Sequence, residues 1–252
     1  KAYGPDGCQM TDEAADIVYA EIQKTDILTG AKTMPFAEGL EKGIIEYVGD
    51  DCINALYEAI ESRQVRPGLC KTAGLKLVYS PLNGSGLVPV TRVLKDIGIT
   101  DITIVPEQEY PNGYFTTCSY PNPEIFAALE KGLDLAKETG ADLMLATDPD
   151  ADRVGIACKD DKGEWVLING NQTCMMYLYY ILTQYKQLGK IKGNEFCVKT
   201  IVTTELIKKI ADKNNIEMLD CYTGFKWIAR EIRLREGKQQ YIGGGEESYG
   251  FL

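Results

Sequence analysis

Three aspartates and an arginine follow a short apolar run in the segment LMLATDPDADR, residues 143–153. Asp148, Asp150 and Asp152 alternate, and in an extended backbone side chains at alternate positions leave the same face. Two carboxylates about 4 Å apart repel by roughly 4 kcal/mol at an effective dielectric of about 20, unless a cation lies between them. Hard divalent cations prefer such oxygen ligands. The spacing therefore predicts a metal site in residues 148–153, here called the aspartate loop, with a solvated acidic turn as the alternative.

A calcium-binding EF-hand loop is excluded for this segment. Such a loop also begins D-x-D-x-D, but it requires glycine at its sixth position and a bidentate glutamate at its twelfth. Counted from Asp148, those positions hold Arg153 and Lys159. The apolar residues before Asp148 moreover indicate a strand, whereas an EF-hand loop follows a helix.

Composition limits the classes of function. The 252 residues, 44% of them hydrophobic, are enough for one large or two modest domains. A net charge of −10 argues against a nucleic-acid or membrane-surface partner, because either would be expected to meet a basic face. The absence of histidine and of any C-x-x-C pair excludes zinc-ribbon and Ser-His-Asp chemistry within this chain. No apolar run is long enough to predict a membrane span, and eight scattered cysteines indicate free thiols in a reducing cytoplasm.

Helix and strand signals alternate from residue 51 onward, in the order helix, strand, helix, strand, helix, strand. The order occurs twice, with a break near Asn169, and predicts an α/β fold of two successive α/β/α units with mixed, mostly parallel sheets. The predicted helices span 51–63, 87–97, 172–187, 205–213 and 225–235, and one more begins at Pro123 behind Asn122 as its cap. The predicted strands span 75–80, 102–105, 143–147, 154–158, 165–168, 196–200, 217–222 and 240–242, with a hairpin joining 154–158 to 165–168.

Other loops after predicted strands also carry unusual chemistry, and ligands gather at the carboxyl ends of parallel strands. Residues 243–250, GGGEESYG, here called the GEES loop, offer acceptors that suit sugar hydroxyls, with a glycine-rich turn as the alternative. Residues 223–228, TGFKWI, here called the TGFK loop, place Lys226 in the first turn of a helix, where amides and a cation could meet a phosphate. The alternative is a surface lysine beside two aromatic residues of the core. Lys199 ends an apolar strand, and its ammonium either contacts a ligand or reaches out to solvent.

In this order and spacing, the three loops together resemble those of the α-D-phosphohexomutase family, the phosphoglucomutases and phosphomannomutases. TDPDADR looks like the family's magnesium loop, TGFKWI like its third-domain loop and GGGEESYG like its sugar-specificity loop. The resemblance implies Mg²⁺ as cofactor, with the ligands Asp148, Asp150 and Asp152. It further implies that Arg153 and Lys199 are catalytic. The substrate-binding residues that it implies are Thr223, Gly224, Lys226, Glu246 and Ser248.

The activity that the resemblance implies is phosphoryl transfer between positions 1 and 6 of a sugar phosphate, through a phosphoserine and a bisphosphate intermediate. GEESYG resembles the phosphoglucomutase and phosphopentomutase side of the family, which favours glucose phosphate and leaves pentose phosphate open. Two positions depart from the family pattern, since Phe225 stands where several branches of the family carry histidine and Asn83 stands where many relatives do. The rival hypothesis is a non-catalytic module that binds a phosphosugar or a metal.

The resemblance also implies a domain organisation, because family members have four domains around one cleft. Residues 1–43 would be the C-terminal tail of domain 1, residues 44–168 domain 2 with the metal loop, and residues 169–252 domain 3 with the sugar loop. The phosphoserine of domain 1 and a phosphate-binding loop of domain 4 would come from missing parts of the same protein. The expected partners are therefore a hexose phosphate, its bisphosphate and those two domains, and this chain alone is expected to be inactive.

Overall fold

The computed structural model describes residues 2–252, and the chain divides into two compact units, Lys1–Gln64 and Val65–Leu252. The described part of the first unit contains the helices α1 (Asp12–Ile22), α2 (Phe36–Glu41) and α3 (Asp50–Glu61). α3 confirms the helix predicted over 51–63, whereas the sequence pattern did not indicate α1 or α2. The predicted domain boundaries at residues 43 and 168 stay predictions.

The second unit begins with a five-stranded sheet in the order β2-β1-β3-β4-β5. Its strands are β1 (Lys76–Ser80), β2 (Asp101–Ile104), β3 (Leu143–Thr147), β4 (Val154–Lys159) and β5 (Trp165–Ile168). β1 pairs in parallel with both β2 and β3, while β3, β4 and β5 pair antiparallel. The predicted hairpin of β4 and β5 is therefore confirmed. The parallel strands β1, β2 and β3 have their carboxyl ends on the same side of the sheet, and there β3 leads into the aspartate loop.

Two helices, α4 (Leu87–Ile97) and α5 (Phe126–Thr139), accompany this sheet. α5 buries Leu129, Leu133 and Ala136, which are spaced for one helix face, together with Met144 of β3. Each such leucine contributes about 1.5–3 kcal/mol by leaving water.

The predicted start of α5 at Pro123 is wrong. The Asn122 side chain accepts the N–H of Glu124, and its carbonyl accepts the N–H of Ile125. Side-chain bonds of this kind compete with helix formation. Ile125 is then extended, so the helix begins only at Phe126.

The rest of the second unit carries a parallel three-stranded sheet in the order β7-β6-β8. Its strands are β6 (Glu195–Thr200), β7 (Glu217–Cys221) and β8 (Gln240–Gly245), and its helices are α6 (Gly170–Gln187), α7 (Glu205–Lys213) and α8 (Phe225–Arg235). Every residue of the central strand β6 is buried, as expected for a parallel sheet covered on both faces. The two sheets with their helices confirm the predicted α/β class.

The first glycines of the GEES loop belong to β8, which corrects the prediction that this strand ends at Ile242. The pairing with β6 continues from Cys197 opposite Gly243 to Lys199 opposite Gly245. Glycine has low strand propensity, so the sequence predicts a turn here. In the structure, cross-strand hydrogen bonds to β6 nevertheless hold these glycines in the strand. Among the described residues, no helix combines the length and the apolar character that crossing a membrane would require.

Candidate functional site

The aspartate loop turns the chain from β3 back into β4. One carboxylate oxygen from each of Asp148, Asp150 and Asp152 lies within 4.8 Å of the other two, so the predicted cluster forms. The predicted extended backbone is wrong, however. The N–H of Ala151 donates to the carbonyl of Asp148 at 3.0 Å, and Ala151 has a left-handed φ of 56°. A turn, rather than strand alternation, brings the three side chains together.

Asp148 anchors this turn and is the buried member of the triad, with 8% of its surface exposed. Its Oδ1 accepts the backbone N–H groups of Asp152 and Arg153, both at 3.0 Å. Burial raises the pKa of Asp148, the N–H bond from Arg153 opposes that rise, and the negative charge of Asp150 adds to it. A nearby cation favours the charged form of such a carboxyl group. Three converging carboxylates supply the hard oxygen ligands that a divalent metal ion requires, so these residues could hold one.

Arg153 lies beside the triad. Its Nη1 contacts Oε1 of Glu124 at 2.6 Å, and its Nε lies 3.8 Å from Oδ2 of Asp148. The guanidinium has five donors and its side chain is 37% exposed, so it can also donate to a ligand oxygen. Glu124 was not predicted to be near the site, because it lies in the segment expected to begin α5.

Asn83, one of the two departures from the family pattern, has a packing role. It is buried, and its φ of 57° is left-handed, a region that asparagine tolerates. Its Nδ2 donates to the carbonyl oxygens of Glu107 at 3.2 Å and Tyr110 at 2.8 Å. These bonds tie the loop after β1 to the segment after β2.

The GEES and TGFK loops meet at Glu246. Its Oε1 accepts the N–H of Gly224 at 2.5 Å, and Ser248 donates to its Oε2 at 3.4 Å. Glu246 is 8% exposed, and burial raises its pKa, an effect that the N–H bond from Gly224 opposes. The ring of Phe225 lies against Gly250, so this position supplies an apolar contact between the same two loops. A carboxylate held in this way retains acceptor sites for hydroxyl donors.

Glu247 fastens the GEES loop to the end of β6. Its Oε2 accepts the hydroxyls of Thr200 and Thr203, both at 3.2 Å, and its N–H donates to Oγ1 of Thr203 at 3.2 Å. The loop also lies against the start of α6, where a Cβ added to Gly170 would come within 1.8 Å of the Glu247 carbonyl oxygen. Only glycine permits that approach.

The aspartate and GEES loops lie next to each other. The N–H of Val154, directly after the aspartate loop, donates to the carbonyl of Tyr249 at 3.0 Å. The positive charge of Arg153 is among the influences that lower the pKa of Glu246 against the effect of burial. The aspartate triad, which could bind a metal ion, therefore lies on the same side of the second unit as Glu246, which could accept hydrogen bonds from hydroxyls.

The predicted lysines lie in different surroundings. Lys199 is fully buried, and its Nζ lies 2.8 Å from both Glu205 and Asp220, so its ammonium does not reach solvent. Burial lowers the pKa of Lys199, but the bonds to Asp220 and Glu205 outweigh it and raise the pKa overall. Nζ of Lys226 lies 5.1 Å from the ring centroid of Trp227, a cation–π distance.

Thr223, also predicted to bind substrate, is exposed before α8. The catalytic role of Lys199 and the substrate-binding roles of Lys226 and Thr223 stay predictions.

Comparison with known proteins places these features in a family. The model of phosphoglucomutase/phosphomannomutase alpha/beta/alpha domain II matches residues 53–163, and that of alpha/beta/alpha domain III matches residues 169–252. A phosphoglucomutase of Staphylococcus aureus (strain MRSA252) is 32% identical over 258 residues, which cover 100% of this chain and 44% of that protein. The chain thus spans less than half the length of this curated relative.

Solved structures share the fold. A putative phosphomannomutase from Thermus thermophilus aligns with a TM-score of 0.60 at 24% identity, covering 79% of this chain and 41% of its own. A phosphoglucomutase/phosphomannomutase family protein from Burkholderia thailandensis aligns with a TM-score of 0.60 at 22% identity, covering 78% of this chain and 39% of its own.

Proposed function

This chain belongs to the phosphoglucomutase/phosphomannomutase family, and we propose that it is the central part of an intramolecular phosphotransferase acting on hexose phosphates. The proposed reaction interconverts a sugar 1-phosphate and a sugar 6-phosphate through a phosphoserine and a bisphosphate intermediate. The phosphoserine and a further phosphate-binding loop come from parts of the protein outside this chain. The predicted division into residues 1–43, 44–168 and 169–252 belongs to the same proposal.

The proximity of the aspartate triad to the GEES loop is the observation that carries this proposal. In it, Asp148, Asp150 and Asp152 hold Mg²⁺, which neutralises charge on the phosphoryl oxygens. Arg153, partly exposed beside the triad, donates hydrogen bonds to the same phosphate. Phosphoryl transfer needs positioning and charge neutralisation more than covalent help, and these residues supply both.

The sugar is proposed to lie against the GEES loop. Glu246 accepts hydrogen bonds from sugar hydroxyls, and its orientation is fixed by the N–H of Gly224. Ser248 makes a second hydrogen bond to a sugar hydroxyl. Lys226 and Thr223 of the TGFK loop also contact the substrate. Glucose phosphate is the proposed substrate, with pentose phosphate as the alternative.

The experiment is an assay of the full-length protein with Mg²⁺, a bisphosphate primer and, in turn, glucose 1-phosphate, mannose 1-phosphate and ribose 1-phosphate. Glucose 1-phosphate is expected to turn over fastest, and Glu246→Gln should lower kcat/KM. Glu236→Gln is the matched control, because Glu236 is an exposed glutamate in a surface ion pair with Arg233. This chain alone is expected to give no turnover, since a missing nucleophile removes the covalent step.

If the full-length protein turns over none of the three sugar phosphates, the proposed activity is overturned. Saturable binding of a sugar phosphate without turnover would favour the rival, a non-catalytic binding module.

A further inference from the structure

A serine outside the aspartate loop binds the loop's own backbone. Ser85, in the connection between β1 and α4, donates two hydrogen bonds to the carbonyl oxygen of Pro149, from its N–H at 2.9 Å and from its Oγ at 3.0 Å. Pro149 separates Asp148 from Asp150, and its carbonyl belongs to the peptide that leads into Asp150. The two bonds therefore fix the orientation of the backbone between two members of the triad.

The residue before Ser85 makes this contact possible. A Cβ added to Gly84 would lie 2.3 Å from Cα and 2.6 Å from the carbonyl oxygen of Pro149. These are backbone atoms, which do not move aside as the end of a flexible side chain does. The connection thus lies directly on the aspartate loop at a distance that only glycine allows.

The connection itself has firm support. The N–H of Asn83 donates to the carbonyl of Gln108 at 2.9 Å, in addition to the two bonds of its side-chain amide. Ser80, at the end of β1, donates to Oε1 of Gln108 at 2.7 Å. Gln108 and Asn83 are both buried, so Ser85 extends from a packed, hydrogen-bonded base.

The aspartate loop needs such support because two of its features oppose its closed form. Three carboxylates lie within 4.8 Å of one another and repel, and Ala151 has a left-handed backbone that residues with a Cβ disfavour. We propose that Ser85 is a positioning residue for the metal site. Through its bonds to the Pro149 carbonyl, Ser85 holds the three aspartates together before a cation binds. This inference rests on the proposed function, since it takes the triad to bind a divalent cation.

The test is a titration of this 252-residue chain with Mn²⁺, in which the free ion is followed by electron paramagnetic resonance. Ser85→Ala should raise the Kd for Mn²⁺ by about tenfold, the lower end of the range for residues that orient metal ligands. Ser85→Thr keeps the hydroxyl and should bind within about twofold of the parent, and Gly84→Ala should weaken binding more than Ser85→Ala does. Ser62→Ala is the matched control, because the Ser62 hydroxyl also donates to a backbone carbonyl, that of Ala59, at 2.7 Å.

Each outcome has a separate meaning. The inference is supported if Ser85→Ala binds Mn²⁺ more weakly while its metal-free melting temperature stays at the parent value, and Ser62→Ala changes neither. Equal affinity of the parent and Ser85→Ala overturns the positioning role and leaves the proposed metal site intact. A lowered affinity with a correspondingly lowered metal-free melting temperature assigns Ser85 a general structural role and also overturns it. A parent that does not bind Mn²⁺ removes the metal site itself and this inference with it.

Discussion

Asp150→Asn removes one of the three charges in the aspartate loop with little change of shape. At 4.8 Å, the largest separation of the ligand atoms, two unit charges repel by about 0.9 kcal/mol in water and by about 3.5 kcal/mol at an effective dielectric of about 20. Asp150 is exposed, so the smaller figure applies to each of its pairs with Asp148 and Asp152. The metal-free variant should therefore be more stable than the parent by about 1–2 kcal/mol.

The response to Mg²⁺ should run in the opposite direction. A ligand at about a hundredfold excess over its Kd stabilises the native state by about 2.7 kcal/mol. For a chain of this length, 1 kcal/mol corresponds to about 2–4 °C in melting temperature, so the parent should gain about 5–10 °C. Asp150→Asn should show little response to Mg²⁺, because a ligand charge is lost.

The measurement is a thermal melt of both proteins at neutral pH, with and without Mg²⁺. Asp161→Asn is the control, since Asp161 is an exposed aspartate of the turn between β4 and β5 and should leave both melts unchanged. The reasoning is refuted if Mg²⁺ does not change the melting temperature of the parent and Asp150→Asn is less stable than the parent. That result would identify the loop as an acidic turn.

Three further substitutions test buried residues of the second unit, each by urea unfolding. Lys199→Ala truncates a fully buried side chain, and the cavity that it leaves should cost about 3 kcal/mol, while the carboxylates of Glu205 and Asp220 stay open to water. A loss below about 1 kcal/mol would contradict the burial of Lys199. Gly170→Ala places a methyl group against the Glu247 carbonyl and should cost about 1–3 kcal/mol, so an unchanged midpoint would disprove the tight contact. Burial opposes ionisation of Glu195, but hydrogen bonds from backbone N–H groups outweigh burial and lower the pKa of Glu195 below 4.5. The ionised Glu195 therefore stabilises the folded state fully above pH 4.5, and this stabilisation is lost as the pH falls through the folded-state pKa. Glu195→Gln should be less stable at pH 7 and approach the parent in acid, whereas an equal difference at both pH values would argue against this linkage.

Periodicity predicted much of the fold. The helices α4, α7 and α8 and the strands β3 and β5 have the bounds that the pattern indicated, because each buries one regular face or lies between flanking turns. The start of α5 was not predictable in the same way, since Asn122 serves a helix cap and a local turn equally well. The strand character of Gly243–Gly245 depends on β6, which lies some forty residues earlier, and a local pattern does not contain it.

The candidate site was predictable in its residue types and less so in its geometry. The grouping of the three aspartates follows from their spacing, but the left-handed turn at Ala151 that produces it does not. Ser85 and Pro149 are 64 residues apart, and Thr203 and Glu247 are 44 apart. Such partners are set by which loops leave neighbouring strands, which is a property of the sheet order rather than of any one segment.

The close approach of Gly170 to the Glu247 carbonyl bears on how readily the GEES loop could be exchanged between relatives. The loop is matched to three separate parts of the chain, namely the first turn of α6, the hydroxyls of Thr200 and Thr203, and the N–H of Val154. A grafted loop would meet a steric obstacle wherever its host carries a side chain at position 170. Redesign of substrate preference would thus require these segments to be transplanted as a set, and chimaeras with a crossover between them should be the ones that fail to fold.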